Sequence, residues 1–359
     1  MSASHKLTQL FLTMAALVVI SMSALAADPG FPYIPIFPSD QMAGNVLIYN
    51  IYTSSSTNPG AQNTKISITN TDDTRGIAVH LFFIDGNSCS VADSFLCLTK
   101  SQTMSFSAAD IDPDVTGYII AVATDDRGIP TVRGRLIGEE QVKFQSGHHA
   151  NLGAEATLGL IVAANLQLNT GVLLDIALPR VLAVSHIPSR AEGNDTKLIV
   201  NRIGGDLRTS ASSIGPLFGI LFDENENPYS WTSTAGCQLV RTLDNSFPRT
   251  APRFNSVIGA GQTGWTKFWA TQNETFDLRE FGLGVASIPR ALLGAVINYN
   301  PASTSGANAY SSGHNLHKLT FVLDINKRDR IFGQAPLIVP IFPNNCGFGV
   351  DEIIPSPTD

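Results

Sequence analysis

Polar and apolar positions alternate along much of this chain at the period of a β-strand. Lys65, Ser67 and Thr69 are interleaved with Ile66 and Ile68, which gives an extended segment one wet and one dry face. Runs rich in β-branched and aromatic residues occur at 46–52, 64–70, 77–84, 104–106 and 118–123, each bounded by Gly, Asn, Asp, Ser or Pro. A second series covers 181–184, 197–200, 217–222, 255–258, 265–269 and 292–299. Helical periodicity is scarce. Its best stretch, residues 150–164, carries Gly153, Gly159 and enough Val and Ile to read equally well as strand.

The second series echoes the first in the same order. Val46-Leu47-Ile48-Tyr49 answers to Val181-Leu182-Ala183-Val184, and Asn63-Thr64-Lys65-Ile66-Ser67-Ile68 to Asp195-Thr196-Lys197-Leu198-Ile199-Val200. His80-Leu81-Phe82-Phe83-Ile84-Asp85 is matched by Phe218-Gly219-Ile220-Leu221-Phe222-Asp223, and Thr116-Gly117-Tyr118 by Thr263-Gly264-Trp265. Ser146-Gly147-His148 recurs as Ser312-Gly313-His314. Short strands, frequent turns and this echo predict an all-β fold of two tandem, internally duplicated β-sandwich domains, Ig-like or jelly-roll-like. The expected division is a signal peptide at 1–26, a first domain at 27–175, a second at 176–350 and a loose tail at 351–359. The proline-rich runs at 31–38 and 337–343 read as edge segments or linkers, because proline cannot donate to a central ladder.

Composition narrows the setting. The hydrophobic share of 43% can fill cores of ordinary size, while charged residues make up only 15% against about 25% in common soluble domains. With a net charge of −7 and no basic stripe, nothing attracts a phosphate backbone, so nucleic acid is not an expected partner. Lys6, the apolar stretch from Leu10 to Ile20 and the small-residue site Ala24-Leu25-Ala26 have the form of a cleaved export signal, leaving no membrane span afterwards. Secretion to the periplasm, cell surface or medium suits the cysteines, which read as disulfides. Cys89 and Cys97 are close enough in sequence to close one loop, leaving Cys237 with Cys346; three pairings are formally possible, and this is the one the spacing favours.

Several segments resemble a group of exported bacterial β-proteins to which no activity is assigned. They are Cys89-Ser90-Val91-Ala92-Asp93-Ser94-Phe95-Leu96-Cys97-Leu98-Thr99, Asp112-Pro113-Asp114-Val115-Thr116-Gly117-Tyr118, Asn151-Leu152-Gly153-Ala154-Glu155-Ala156 after Ser146-Gly147-His148, and Ile199-Val200-Asn201-Arg202-Ile203-Gly204-Gly205-Asp206. The resemblance implies export and β-structure and carries no catalytic residue with it.

Candidate chemistry is sparse. Gly259-Ala260-Gly261-Gln262-Thr263-Gly264 has dinucleotide-site spacing, but the aromatic alternation of Trp265-Thr266-Lys267-Phe268-Trp269 predicts a strand after it and so a simple turn. Asp110, Asp112 and Asp114 alternate as calcium ligands do in many loops, making a structural calcium ion the one cofactor suggested. His148, His149, His314 and His317 would form a metal cluster only if the two repeats faced each other. Trp265 and Trp269 share one strand face and are expected in the core, whereas Tyr229 and Trp231 are expected in a loop where a ring could stack on a sugar. No nucleophile elbow, zinc-binding helix or P-loop occurs, and a triad assembled from distant loops is left open. The functional expectation is a secreted, non-catalytic structural, cell-surface or interaction protein. Its partners would be another copy of itself through the proline-rich edges, a cell-envelope component or a glycan; the alternative is a carbohydrate-binding or carbohydrate-active protein.

Overall fold

The computed structural model describes residues 37–164, 170–300, 311–320 and 335–350. The expected signal peptide at 1–26 and tail at 351–359 lie outside them, as does most of the run at 31–38. Strands β1 (Val46–Thr53), β2 (Asn63–Asn70), β3 (Ile77–Asp85), β4 (Val91–Leu98), β5 (Thr103–Ser107), β6 (Thr116–Thr124), β7 (Leu136–Lys143), β8 (His149–Gly153) and β9 (Glu155–Thr157) form the first series. Next come β10 (Gly159–Ala164) and β11 (Val172–Ile176). The second series is β12 (Val181–Pro188), β13 (Asp195–Arg202), β14 (Gly205–Asp206), β15 (Ser210–Ala211), β16 (Gly215–Phe222), β17 (Pro228–Ala235), β18 (Gln238–Thr242), β19 (Thr263–Ala270), β20 (Asn273–Asp277), β21 (Val285–Pro289), β22 (Leu292–Tyr299), β23 (Ser311–Asn315) and β24 (His317–Thr320). Strand β25 (Ala335–Val339) follows. Residues 150–164 are thus strand, and the segment expected as strand at 255–258 is a short helix, α2 (Phe254–Val257), matching α1 (Ala108–Ile111) in the first series. Phe254 and Val257, three residues apart, turn one helical face into the core, which alternation cannot do.

The sequence echo has its counterpart in strand order. A first sheet, β4-β3-β6-β1-β9, recurs as the fourth, β17-β16-β19-β12-β24; a second, β5-β2-β7-β8, recurs as the fifth, β18-β13-β22-β23. The third sheet, β10-β11-β25-β14-β15, has no such twin, and β20 and β21 form a separate ribbon.

Packing overturns the expectation of two tandem β-sandwich domains. Every position of β1 is buried, with Leu47 and Tyr49 facing the second sheet and Val46 and Ile48 facing Val172, Leu174, Leu337 and Val339 of the third. Strand β13 is likewise apolar on both sides: Leu198 and Val200 meet the fourth sheet, and Ile199 meets Val142 and Leu152 of the second. Strands covered on both faces lose the clean alternation of a two-layer sandwich and demand a neighbour on each side. Five sheets therefore stand face on face in the succession third, first, second, fifth, fourth, as the blades of a five-bladed propeller do. Unlike simple meander blades, each is built from non-consecutive strands. The described residues belong to one compact unit, and the expected boundary at 175 and 176 falls inside β11.

The run at 337–343 is also corrected. Instead of forming an edge, β25 lies between β11 and β14, because its prolines 340 and 343 come after the last paired residue, Val339. Only Pro336 falls within the ladder, opposite Asp175.

One disulfide binds the two series together and the other ties β4 to the segment after β25. Cys89 pairs with Cys237 and Cys97 with Cys346, at Cα separations of 5.4 and 5.3 Å. The expected closure of Cys89 on Cys97 fails for a simple reason: the residues between them are strand β4, which carries the chain about 26 Å forward, far beyond the roughly 7 Å a disulfide can span.

Candidate functional site

Tyr229 and Trp231 lie within strand β17, not in a loop. Trp231 is only 3% exposed; its indole donates from Nε1 to Thr266 Oγ1 at 3.1 Å, and its ring packs on Phe247 and Phe268. Gly219 makes this possible, since a Cβ there would stand 2.2 Å from the indole ring. Trp231 thus cannot stack on a ligand, and Tyr229 donates its hydroxyl to Asp223 Oδ2 at 3.1 Å.

The carboxylates considered for calcium are turned toward local partners. Asp112 Oδ2 accepts from the Tyr52 hydroxyl at 2.5 Å, and Asp114 accepts from the Ser56 amide and hydroxyl at 2.8 and 2.6 Å. Asp110 lies in α1. Among the described residues, no group of three or more His, Cys, Asp or Glu side chains is placed to hold a metal ion.

The histidines also have separate tasks. His148 is buried where the two series meet, with Ser146 Oγ 3.0 Å from Nδ1, Asp195 Oδ2 3.6 Å from Nε2, and Tyr299 alongside. His149 Nδ1 lies 3.0 Å from the Gly147 carbonyl, His314 Nδ1 2.9 Å from the Asn315 carbonyl, and His317 Nε2 3.0 Å from Ser185 Oγ. The second Ser-Gly-His is part of strand β23. Ser146, His148 and Asp195 hold the residue types of a triad, but the Gly147 amide, a natural oxyanion donor, is already bonded to the Phe144 carbonyl at 2.9 Å.

Burial lowers the pKa of His148 from its ordinary value to about 4, helped by the nearby charges of Lys197 and Arg190 and opposed by Asp195. Because the folded-state value is depressed, this imidazole supports the fold above pH 6.5 and withdraws that support as pH falls toward 4, where the unfolded chain alone takes the proton. Buried Glu155, which accepts from Lys318 Nζ at 2.6 Å and is raised to about 6 by burial, has the opposite slope: its support fades as pH rises from about 4.5 through 6. A His148→Gln variant retains the Glu155 response, so its melting temperature should drop less than that of the wild type between pH 7 and pH 5. Equal drops in the two proteins would show that His148 is not held neutral by the fold.

The face with unclaimed chemistry is the outer side of the fourth sheet. In β19, Gly264, Thr266 and Phe268 point inward, leaving Trp265, Lys267 and Trp269 partly exposed on the other side. This reverses the core placement expected for the two tryptophans. Trp265 stacks on Phe222 with ring centres 4.4 Å apart and planes 8° apart, while Trp269 leans on Phe218 at 5.2 Å. The Lys267 ammonium sits 5.7 Å from the Phe222 ring centre. At one end, Trp269 and Lys267 border a cleft of about 410 Å³ whose other walls include Arg180, Pro289, Arg290 and Leu319. The sequence signal was the shared parity of positions 265 and 269; what it lacked was the side that faces water.

No protein-family model and no curated protein matches this chain. A Pleurotus ostreatus lectin in its apo form is similar over 90% of this chain and 99% of its own, at 8% identity and a TM-score of 0.16, too low to carry any argument about fold or ligand. Among the described residues, no helix is long and apolar enough to cross a membrane.

Proposed function

We propose that this chain is an exported, non-catalytic binding protein that seats a carbohydrate on the aromatic outer face of its fourth sheet. The observation that carries the reading is the pair Trp265 and Trp269, partly exposed on one strand face and leading into the cleft. Four strand residues apart, they are about 13 Å from one another, a span that offers two stacking positions along a chain-like ligand. Indole faces suit the C–H surfaces of a sugar ring, and a concave site beside them supplies orientation. Paired cysteines support an oxidising compartment, which is where such a protein would meet glycans.

A glycan array probed with wild type and Trp269→Ala tests the reading. Wild type should retain a defined set of glycans, with quenching of tryptophan fluorescence on titration. Trp269→Ala should bind them roughly 30-fold more weakly, the equivalent of about 2 kcal/mol for a central aromatic anchor. A wild-type array without signal would remove the proposal.

A further inference from the structure

Resting on the reading above, we infer that the carbohydrate is anionic, its carboxylate or sulfate group being held in the cleft by Arg180, Lys267 and Arg290 while a sugar ring stacks on Trp269. The starting point is an imbalance of charge. The chain as a whole carries −7, yet this cleft is walled by three cations, and among the described residues no Asp or Glu lines it. Five arginines elsewhere in the fold are matched: Arg127 with Asp125, Arg190 with Asp195, Arg202 with Glu274, Arg208 with Asp206 and Glu280, and Arg279 with Asp277.

The three cleft cations lack such partners among the described residues. The recorded contact of Lys267 is the Phe222 ring. Arg290 donates from Nη1 to the Ile214 carbonyl at 2.8 Å, and its Nε is buried without a hydrogen-bond acceptor. A guanidinium fixed at one nitrogen and short of an acceptor at another is pre-aimed and under-satisfied, the state in which an incoming oxyanion gains most. Arginine's planar fork matches the two oxygens of a carboxylate or the oxygens of a sulfate, and lysine adds a point charge without geometric demand. Low-dielectric walls from Pro289, Leu319 and Trp269 strengthen each attraction relative to open water. The volume of about 410 Å³ falls in the range of small-ligand sites.

The test uses the full chain and three tetrasaccharide probes of equal length: a uronate oligomer, a sulfated oligomer and a neutral glucan. Binding is followed by tryptophan fluorescence and calorimetry at low and high salt. At least one acidic probe should bind tenfold or more tightly than the neutral one, with the advantage shrinking as salt rises. Which acidic probe leads identifies the anion as carboxylate or sulfate. Arg180→Gln and Lys267→Gln, with wild-type circular dichroism as the check on folding, should each reduce acidic-probe affinity about tenfold more than neutral-probe affinity. If the neutral glucan binds as well as the acidic probes and neither variant matters, the anionic assignment falls while the aromatic reading stands. If no saccharide of either kind binds the folded protein, both fall. A single-stranded oligonucleotide that outcompetes both acidic probes would also overturn the assignment, since the cleft would then be selecting phosphate.

Discussion

Replacing Cys89 and Cys237 together by serine should lower the stability of the fold by up to about 5 kcal/mol. The two residues are 148 positions apart, and a cross-link across a loop of that length removes a large share of the unfolded chain's freedom. Cys237 is also fully buried against the core shared by the first and third sheets, so a serine there would place a hydroxyl in apolar surroundings, with the Ala211 carbonyl, 3.8 Å from the present sulfur, as its acceptor. Denaturant titration of the double variant should show a clearly earlier midpoint; a shift under 1 kcal/mol would mean that the sheets hold one another without the cross-link. The other bond behaves differently. Cys97 is exposed and Cys346 lies in irregular chain at 340–350, so loss of Cys97–Cys346 should free that segment locally before it unfolds the sheets. Mild reductant should accordingly open Cys97–Cys346 first, as peptide mapping of alkylated thiols would reveal.

Arg202→Ala should cost about 3–5 kcal/mol, the usual penalty for leaving half of a buried ion pair behind. Arg202 is 0% exposed, the largest fully buried side chain in the fold. Its Nη2 donates to Glu274 Oε2 at 2.9 Å, and its Nη1 donates to the Ile203 carbonyl and, at 3.3 Å, to that of Ala291. Its own carbonyl accepts from the Tyr118 hydroxyl at 2.7 Å, which ties β13 to β6 of the other series. Truncation removes the charge, strands Glu274 and opens a cavity. Arg202→Met combined with Glu274→Leu removes both charges at similar volume and should recover most of the loss. If the single and double variants are equally unstable, the hydrogen bonds and ion pair of Arg202, and not the stranding of Glu274 or the cavity, account for the loss.

The sequence made some of this legible and concealed the rest for identifiable reasons. Period-two alternation located β2 from Ile66 and Ile68, and the echo of β1 in β12 anticipated the repeated strand order. It could not reveal which faces are covered, because β1 and β13 are apolar on both sides and such runs do not say what lies against them. Strands β14 and β15 are two residues long, below anything periodicity detects, so one end of the third sheet had no signature. Cysteine spacing misled because seven residues that form a strand cannot return on themselves. The site was half visible. Parity put Trp265 and Trp269 on one face, but hydrophobicity alone assigned that face inward, whereas Thr266 beside the Trp231 indole and Phe268 occupy the interior. Arg180 and Arg290 are distant in sequence and meet Lys267 only through the pairing of β12 with β19 and the placement of β21.

The central position of β25 has a consequence for the order of events during biosynthesis. Val46, Ile48, Ile120 and Val122 are covered partly by Leu337 and Val339, residues more than two hundred positions downstream. While the polypeptide is emerging from its ribosome or translocon, that greasy surface must wait for almost all the remaining chain before its cover arrives. A holding chaperone would be useful throughout that interval, and fragments ending before residue 335 should be sticky and short-lived.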